Sequence, residues 1–313
     1  MLPHRPNDYF LRRKLTDRIL QGRNDAKKEG AMSTFTYRAR FLAYGTSAGL
    51  VCVALAAEVA AQNDAAWPDF SSNRTGWVGM GGEFLPIPGD AGPKPMTFDP
   101  KYPYVPNNTG AQPSFRIADL TNPNLKPWVK ERMKKDNDEV IAGKIAFTPR
   151  SSCTMAGVPN FAGFGGAQPY YFIQTPTLVL MLFSGDQQVR RVYLDTPHSE
   201  KPKPSWYGES VGHYEGGDTL VIDTIGLNAK TFIDPYRTPH TEKLHVTERW
   251  KLIDGGQRLE MQFRVDDPDA FYEPWSATRR FRRVQQAYVE EVCAEGNRHL
   301  FDYNIPKADK PDF

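Results

Sequence analysis

The chain lacks an excess of either charge. Lysine and arginine number 39 against 37 aspartate and glutamate, a net charge of +2 spread over 313 residues with both signs interspersed. No domain-wide basic stripe is present, which argues against a nucleic-acid partner. The densest basic stretch, Arg279, Arg280, Arg282 and Arg283, alternates with apolar residues and suits the solvated face of a strand. Internal repeats and low-complexity tracts are absent as well. Cysteine is scarce, with three in the whole chain.

What is abundant is proline, with 26 residues, and aromatic side chains, at 12% of the chain, many of both before residue 130. Proline cannot join helix interiors or central strands, so this region reads as an extended segment pinned over a surface by aromatic anchors. It is too aromatic to be a disordered linker.

Residues 35–61 carry the layout of a secretory signal. Arg38 and Arg40 precede an apolar run from Phe41 to Ala57, and Val59 and Ala61 offer small side chains before Gln62. The run, about 17 residues long, is marginal for spanning a bilayer, and Gly45, Ser47 and Gly49 weaken it as an anchor. Removal is therefore expected, with no stable membrane anchor left behind. Cys52 suggests lipidation only at first sight, because Val51 stands where that processing needs a small residue. Residues 1–31 are charged and unpatterned, and Met32 makes the better start. The expected organisation is a mis-assigned start over 1–31, a signal over 32–61, an extended wrap with a helix over 62–143, and an antiparallel β domain over 144–313. In a periplasmic or secreted protein the remaining Cys153 and Cys293 are expected to form a disulfide; two buried thiols are the alternative.

After the signal, a single helix is expected in 123–142, where Val129, Met133, Val140 and Ile141 recur amid charges and Gly143 marks a stop. From Tyr170 the pattern changes to short strands between turn residues, near 170–175, 178–183, 188–195, 218–225, 243–253, 257–266, 275–284 and 287–293. Gly185-Asp186, Gly216-Gly217-Asp218 and Asp254-Gly255-Gly256 are hairpin-type turns. The expected fold is mainly β, a single antiparallel barrel or sandwich, with a lipocalin-like barrel among the options.

Several segments, between about residues 120 and 300, also carry a recognisable pattern. Cys153-Thr-Met-Ala-Gly157-Val-Pro159 is followed by Gln174-Thr-Pro176 and by Trp206-Tyr-Gly208-Glu-Ser210-Val-Gly212-His213-Tyr-Glu215. Next come Gly217-Asp-Thr-Leu-Val-Ile-Asp-Thr224 and Pro239-His240-Thr-Glu-Lys-Leu-His245-Val-Thr-Glu248-Arg249. Asp267-Pro268, Glu273-Pro274-Trp275 and Cys293-Ala-Glu295-Gly-Asn297 complete it. In aggregate the chain resembles a large uncharacterised family of exported bacterial β-rich proteins. An additional glycine, Gly217, departs from that pattern and lengthens one turn. The resemblance implies a secreted β-rich domain and brings no activity with it.

Chemistry is sought first in side chains that break strand alternation. Leu244, Val246, Trp250 and Leu252 point one way along their strand, and Glu248 shares their row. Trp275, Ala277 and Phe281 likewise share a face with Arg279, while Leu259, Met261, Phe263 and Val265 alternate cleanly. A carboxylate and a guanidinium aimed at one interior must pair or line a wet cavity, because an isolated buried charge is very costly. His213, His240 and His245, with Asp223 and Glu215 nearby, form a second group suited to proton transfer without a cofactor. A metal is not expected, because His245 and Glu248 point to opposite faces of one strand. Tyr207, Tyr214, Trp206 and Trp275 could wall a cavity or simply pack in the core. Gly208-Glu209-Ser210-Val211-Gly212 matches G-x-S-x-G without the strand-to-helix turn a nucleophile elbow needs. Gly163, Gly165 and Gly166 lack the context of a phosphate loop.

These readings converge on a cofactor-independent enzyme acting on a small, partly apolar substrate in a barrel cavity, of lyase, isomerase or hydrolase type. His213, His240, His245, Glu248 and Asp223 are its candidate catalytic residues, with Arg279, Tyr207, Tyr214 and Trp275 as ligand contacts. The alternatives are a periplasmic carrier that binds without chemistry, and an envelope interaction protein with no pocket.

Overall fold

Strand alternation closes on itself in this chain. The computed structural model describes residues 67–70, 75–81, 84–90, 92, 117–142, 144, 153–163 and 168–292. All of them belong to the unit Asn63–Phe313. The proposed signal, the earlier start and Cys293 lie outside the described residues.

Ten strands are present among them: β1 (Thr75–Gly79), β2 (Leu85–Pro86), β3 (Tyr170–Gln174), β4 (Leu178–Phe183), β5 (Gln188–Leu194), β6 (Glu209–Glu215), β7 (Thr219–Ile225), β8 (His245–Ile253), β9 (Arg258–Asp266) and β10 (Trp275–Gln285). β1 and β3 to β10 form a closed ring of nine, sealed where β1 pairs with both β3 and β10. β2 continues the β1 side of β10, pairing Leu85 with Thr278. All pairings are antiparallel except β5–β6, which is parallel and joined only at Tyr193–Val211 and Leu194–Gly212. A barrel, and not a sandwich, is therefore the architecture.

The interior is built by the period of two. In β9 the buried side chains are Leu259, Met261, Phe263 and Val265, and in β8 they are Val246, Glu248 and Trp250. β10 contributes Trp275, Ala277, Arg279 and Phe281. The stack Trp250 on Phe281, with ring centroids 5.5 Å apart, ties β8 to β10 across the core. These inward rows fill the barrel with side chains.

The single helix among the described residues, α1 (Pro127–Ile141), starts at a proline, whose fixed φ and missing N–H suit a first turn. Val129, Met133, Asn137 and Val140 recur at helical spacing and are buried. Asn137 clamps the backbone of Ala118, accepting from its N–H and donating to its carbonyl, both at 2.9 Å. The helix start is tied to the β9–β10 loop by Lys126 N–H donating to Ala270 O. Its middle meets the β7–β8 loop through Arg237, which donates to the Asp136 carbonyl at 2.6 Å. Among the described residues no helix is long and apolar enough to cross a membrane.

Three expectations need correction. The wrap over 62–143 donates β1 and β2 to the barrel wall. A strand not expected from sequence, β6, includes most of Gly208-Glu209-Ser210-Val211-Gly212. Residues 287–292 are not a strand; β10 ends at Gln285. The chain then crosses β3, with Tyr171 donating to Gln286 O at 3.0 Å and its ring meeting that of Tyr288.

Candidate functional site

Glu248 and Arg279 both point into the barrel as alternation requires, at 0% and 1% exposure, but they do not pair with each other. Glu248 pairs with Arg190 of β5, which donates to Oε1 at 3.0 Å and makes a short contact to Oε2. The same guanidinium donates to Ser210 Oγ at 3.2 Å and Thr224 Oγ1 at 2.9 Å. Both side chains of the ion pair are fully buried. The expected ion pair therefore exists with a different cation. Arg190 was legible, since it shares the inward row of β5 with Val192 and Leu194. Arg279 instead donates to the carbonyls of Gly163 and Gly81 and lies against the rings of Phe84 and Phe281.

Each strand that holds this interior network carries a polar neighbour on the opposite face. Glu209 precedes Ser210, Asp223 precedes Thr224, and Thr247 precedes Glu248. On the outer wall Asp223 accepts from two imidazoles at once. His245 Nε2 lies 2.7 Å from Oδ2, and His198 Nε2 lies 2.7 Å from Oδ1. Thr247 Oγ1 adds a donor to Oδ2 at 3.3 Å. The other ring nitrogen of His198 faces Glu209 Oε1 at 3.1 Å. Glu209 is itself held by the N–H of Ser199 at 2.6 Å and by its hydroxyl.

The electrostatics follow from these contacts. The hydrogen bond to Asp223 raises His245 above its ordinary value, against the opposing effect of partial burial. Burial alone would raise the Asp223 carboxyl, yet the hydrogen bonds and charges of His245 and His198 outweigh it and hold the group low. Hydrogen bonds from Ser199 lower Glu209 in the same way.

The candidate catalytic residues thus divide across the wall. Asp223 and His245 meet on the outside, and Glu248 lies behind them in the core. His213 also faces out but bonds Glu215 at 3.0 Å, and Glu215 in turn bonds Arg249 at 2.6 Å. His240 is buried in the β7–β8 loop, bonded to Thr231 Oγ1 and to Thr241 O, and burial lowers it. His198 and Glu209 complete the outer cluster and were not singled out from sequence; His198 sits on the loop after β5, where no periodicity marks it.

Beside the cluster a shallow cavity of about 300 Å³ opens over the β5–β6 junction, lined by Asp195, Thr196, Pro197, Val211, Gly212, His213, Val221 and Asp223. Gly212 is required there, because a Cβ would stand 2.6 Å from the Val221 carbonyl and 3.0 Å from Val192. The expected ligand contacts lie elsewhere. Tyr207 bonds Gln188, and its ring meets the edge of Phe161. Tyr214 accepts from Gln174 at 2.8 Å and stacks on Trp67. Trp275 packs on Phe263 and Phe271 in the core.

No protein-family model matches the chain, and no curated protein matches it. Its chemistry must be read from the geometry. Among the described residues no group of three His, Cys, Asp or Glu side chains is arranged to hold a metal. The two imidazoles take different oxygens of Asp223, which makes the carboxylate a bridge between them. Ser210 lies inside β6 bonded to Arg190 and Thr224 and has none of the strand-to-helix geometry of an activated nucleophile. What remains is a carboxylate in the lining of a cavity that orients two imidazoles, an arrangement able to move protons.

Proposed function

We propose that this chain is an exported, cofactor-independent acid–base enzyme of lyase, isomerase or hydrolase type. Its site lies on the outer wall of the barrel over β6, β7 and β8, and its substrate is small and partly apolar. One observation carries the reading: the Asp223 carboxylate bridges the Nε2 atoms of His198 and His245 beside an open cavity. One imidazole can take a proton while its neighbour returns one, and Asp223 fixes their orientation and stabilises whichever is charged. The filled core favours this outer site over one inside the barrel.

The test is proton exchange. A panel of small ketones, esters and amino esters is incubated with the protein in heavy water and followed by proton NMR. Enzyme-dependent deuterium incorporation or turnover of a panel member, lost in Asp223→Asn, supports the reading; the same rate in the variant contradicts it.

Export and the Cys153–Cys293 bond belong to the same proposal. Both cysteines remain after removal of the signal, in a compartment where disulfides form, which supports the bond. The intact mass of protein recovered from the periplasm is expected to correspond to a chain beginning at Gln62 and lacking two hydrogens. A mass that includes residues 32–61, or one that reacts fully with a thiol reagent without reduction, contradicts it.

A further inference from the structure

We propose that the cavity over the β5–β6 junction binds a small cationic amine with an apolar body, its ammonium group held by Asp195. This rests on the outer wall being the functional face and adds to that reading the class of its ligand.

Asp195 is placed for such a role by an uncommon backbone. It follows the last residue of β5 with φ 51, in the left-handed region that few non-glycine residues occupy. Its N–H donates to Gly212 O at 2.9 Å, which fixes the turn against β6. The carboxylate therefore stands at the cavity rim, exposed and with no ion-pair partner among the described residues. The floor is apolar: Val211 and Val221 face outward from β6 and β7, and Pro197 closes one side. Tyr193, registered with Val211 across the parallel junction, presents a ring that is 47% exposed on the same outer face.

Charge decides the sign of the ligand. Asp195 and Asp223 supply the lining carboxylates, and Asp223 is already bonded to two imidazoles. The one imidazole in the lining, His213, is tied to Glu215, which also pairs with Arg249. Asp195 has no such partner among the described residues, so the lining keeps an uncompensated negative charge. An anion would meet repulsion there, and a neutral body would gain only the apolar floor.

The test uses 2-phenylethylamine, 2-phenylethanol and 3-phenylpropionate as probes in nitrogen-15 NMR titrations of the mature protein. Saturable binding of the amine is expected, with shifts at Val211, His213 and Val221. The alcohol should bind about fivefold more weakly, the size of a partly exposed ion pair, and the carboxylate should not bind. Asp195→Asn is expected to reduce amine affinity by about the same factor while leaving the alcohol unchanged, since asparagine also accepts the left-handed backbone. Added salt should weaken the amine alone, a control that needs no variant. Equal binding of amine and alcohol, no saturable binding, or an affinity indifferent to salt would overturn the inference. Deuterium exchange lost in Asp223→Asn would stand unaffected by such a result, so the two failures are distinguishable.

Discussion

Glu248→Ala is expected to cost about 3–5 kcal/mol of folding stability, the usual penalty for removing one partner of a buried ion pair. The cause is what remains. Arg190 is fully buried, and without Glu248 its guanidinium keeps only the hydroxyls of Ser210 and Thr224 as acceptors. Water cannot reach it, so its positive charge loses both hydration and counter-charge. Chemical denaturation of the wild type and the variant measures the difference directly. A double replacement, Arg190→Met with Glu248→Leu, is expected to lie closer to wild type than Glu248→Ala, because an apolar pair of similar bulk removes the unpaired charge. A loss below about 1 kcal/mol in Glu248→Ala would mean that the guanidinium finds another partner and that the network is not closed as described.

Asp223→Asn is expected to lower turnover of any substrate the exchange assay identifies by about 100- to 10,000-fold, the range that positioned acid–base groups contribute. The substitution preserves shape but replaces one acceptor oxygen by a donating amide. Asparagine can then accept from only one imidazole through its oxygen, while its NH₂ confronts the other ring. One histidine must turn or change tautomer, and the proton route is broken even though the strands stay paired. The loss should fall on kcat more than on KM, because Asp223 acts on the two imidazoles and needs no hold on the substrate. His240→Asn, in the buried loop away from this cluster, should leave kcat near the wild-type value in folded protein. Comparable kcat losses in both variants would indicate a general structural effect and remove the special role of Asp223.

The barrel was legible where alternation is clean. β9 reads inward and outward from its sequence alone, and the inward placement of Glu248 and Arg279 follows from the same period of two. Their partners were not legible to the same degree, since alternation gives a face and says nothing about register between distant strands. Arg190 shares the inward row of β5, yet its pairing with Glu248 depends on β5 and β8 facing each other across the barrel. β6 was hidden because Gly208-Glu-Ser-Val-Gly has weak strand propensity, and its pairing with β7 overrides that local weakness. β1 is similar: Gly76 sits where a Cβ would come within 2.9 Å of the Tyr171 ring, so its glycine serves packing and does not mark a turn. A strand was expected near 287–293, but Tyr288, Val289 and Val292 are exposed and no described strand pairs with them. Asp223 and His245 could be grouped from sequence; His198 and Glu209 needed the fold, because His198 lies on the loop joining β5 to β6 and Glu209 opens the strand β6 that the sequence hides.

The shared carboxylate is tested most directly by following the imidazole carbon-bound protons of His245 through a pH titration in wild type and in Asp223→Asn. Held by Asp223, with Asp266 adding to the pull and Arg264 opposing it, His245 should keep its proton to a pH above its ordinary 6.5 in the wild type. Its midpoint should fall in Asp223→Asn, where the neighbouring negative charge is gone. A His245 midpoint that is the same in both proteins would contradict a carboxylate bridge on the outer wall.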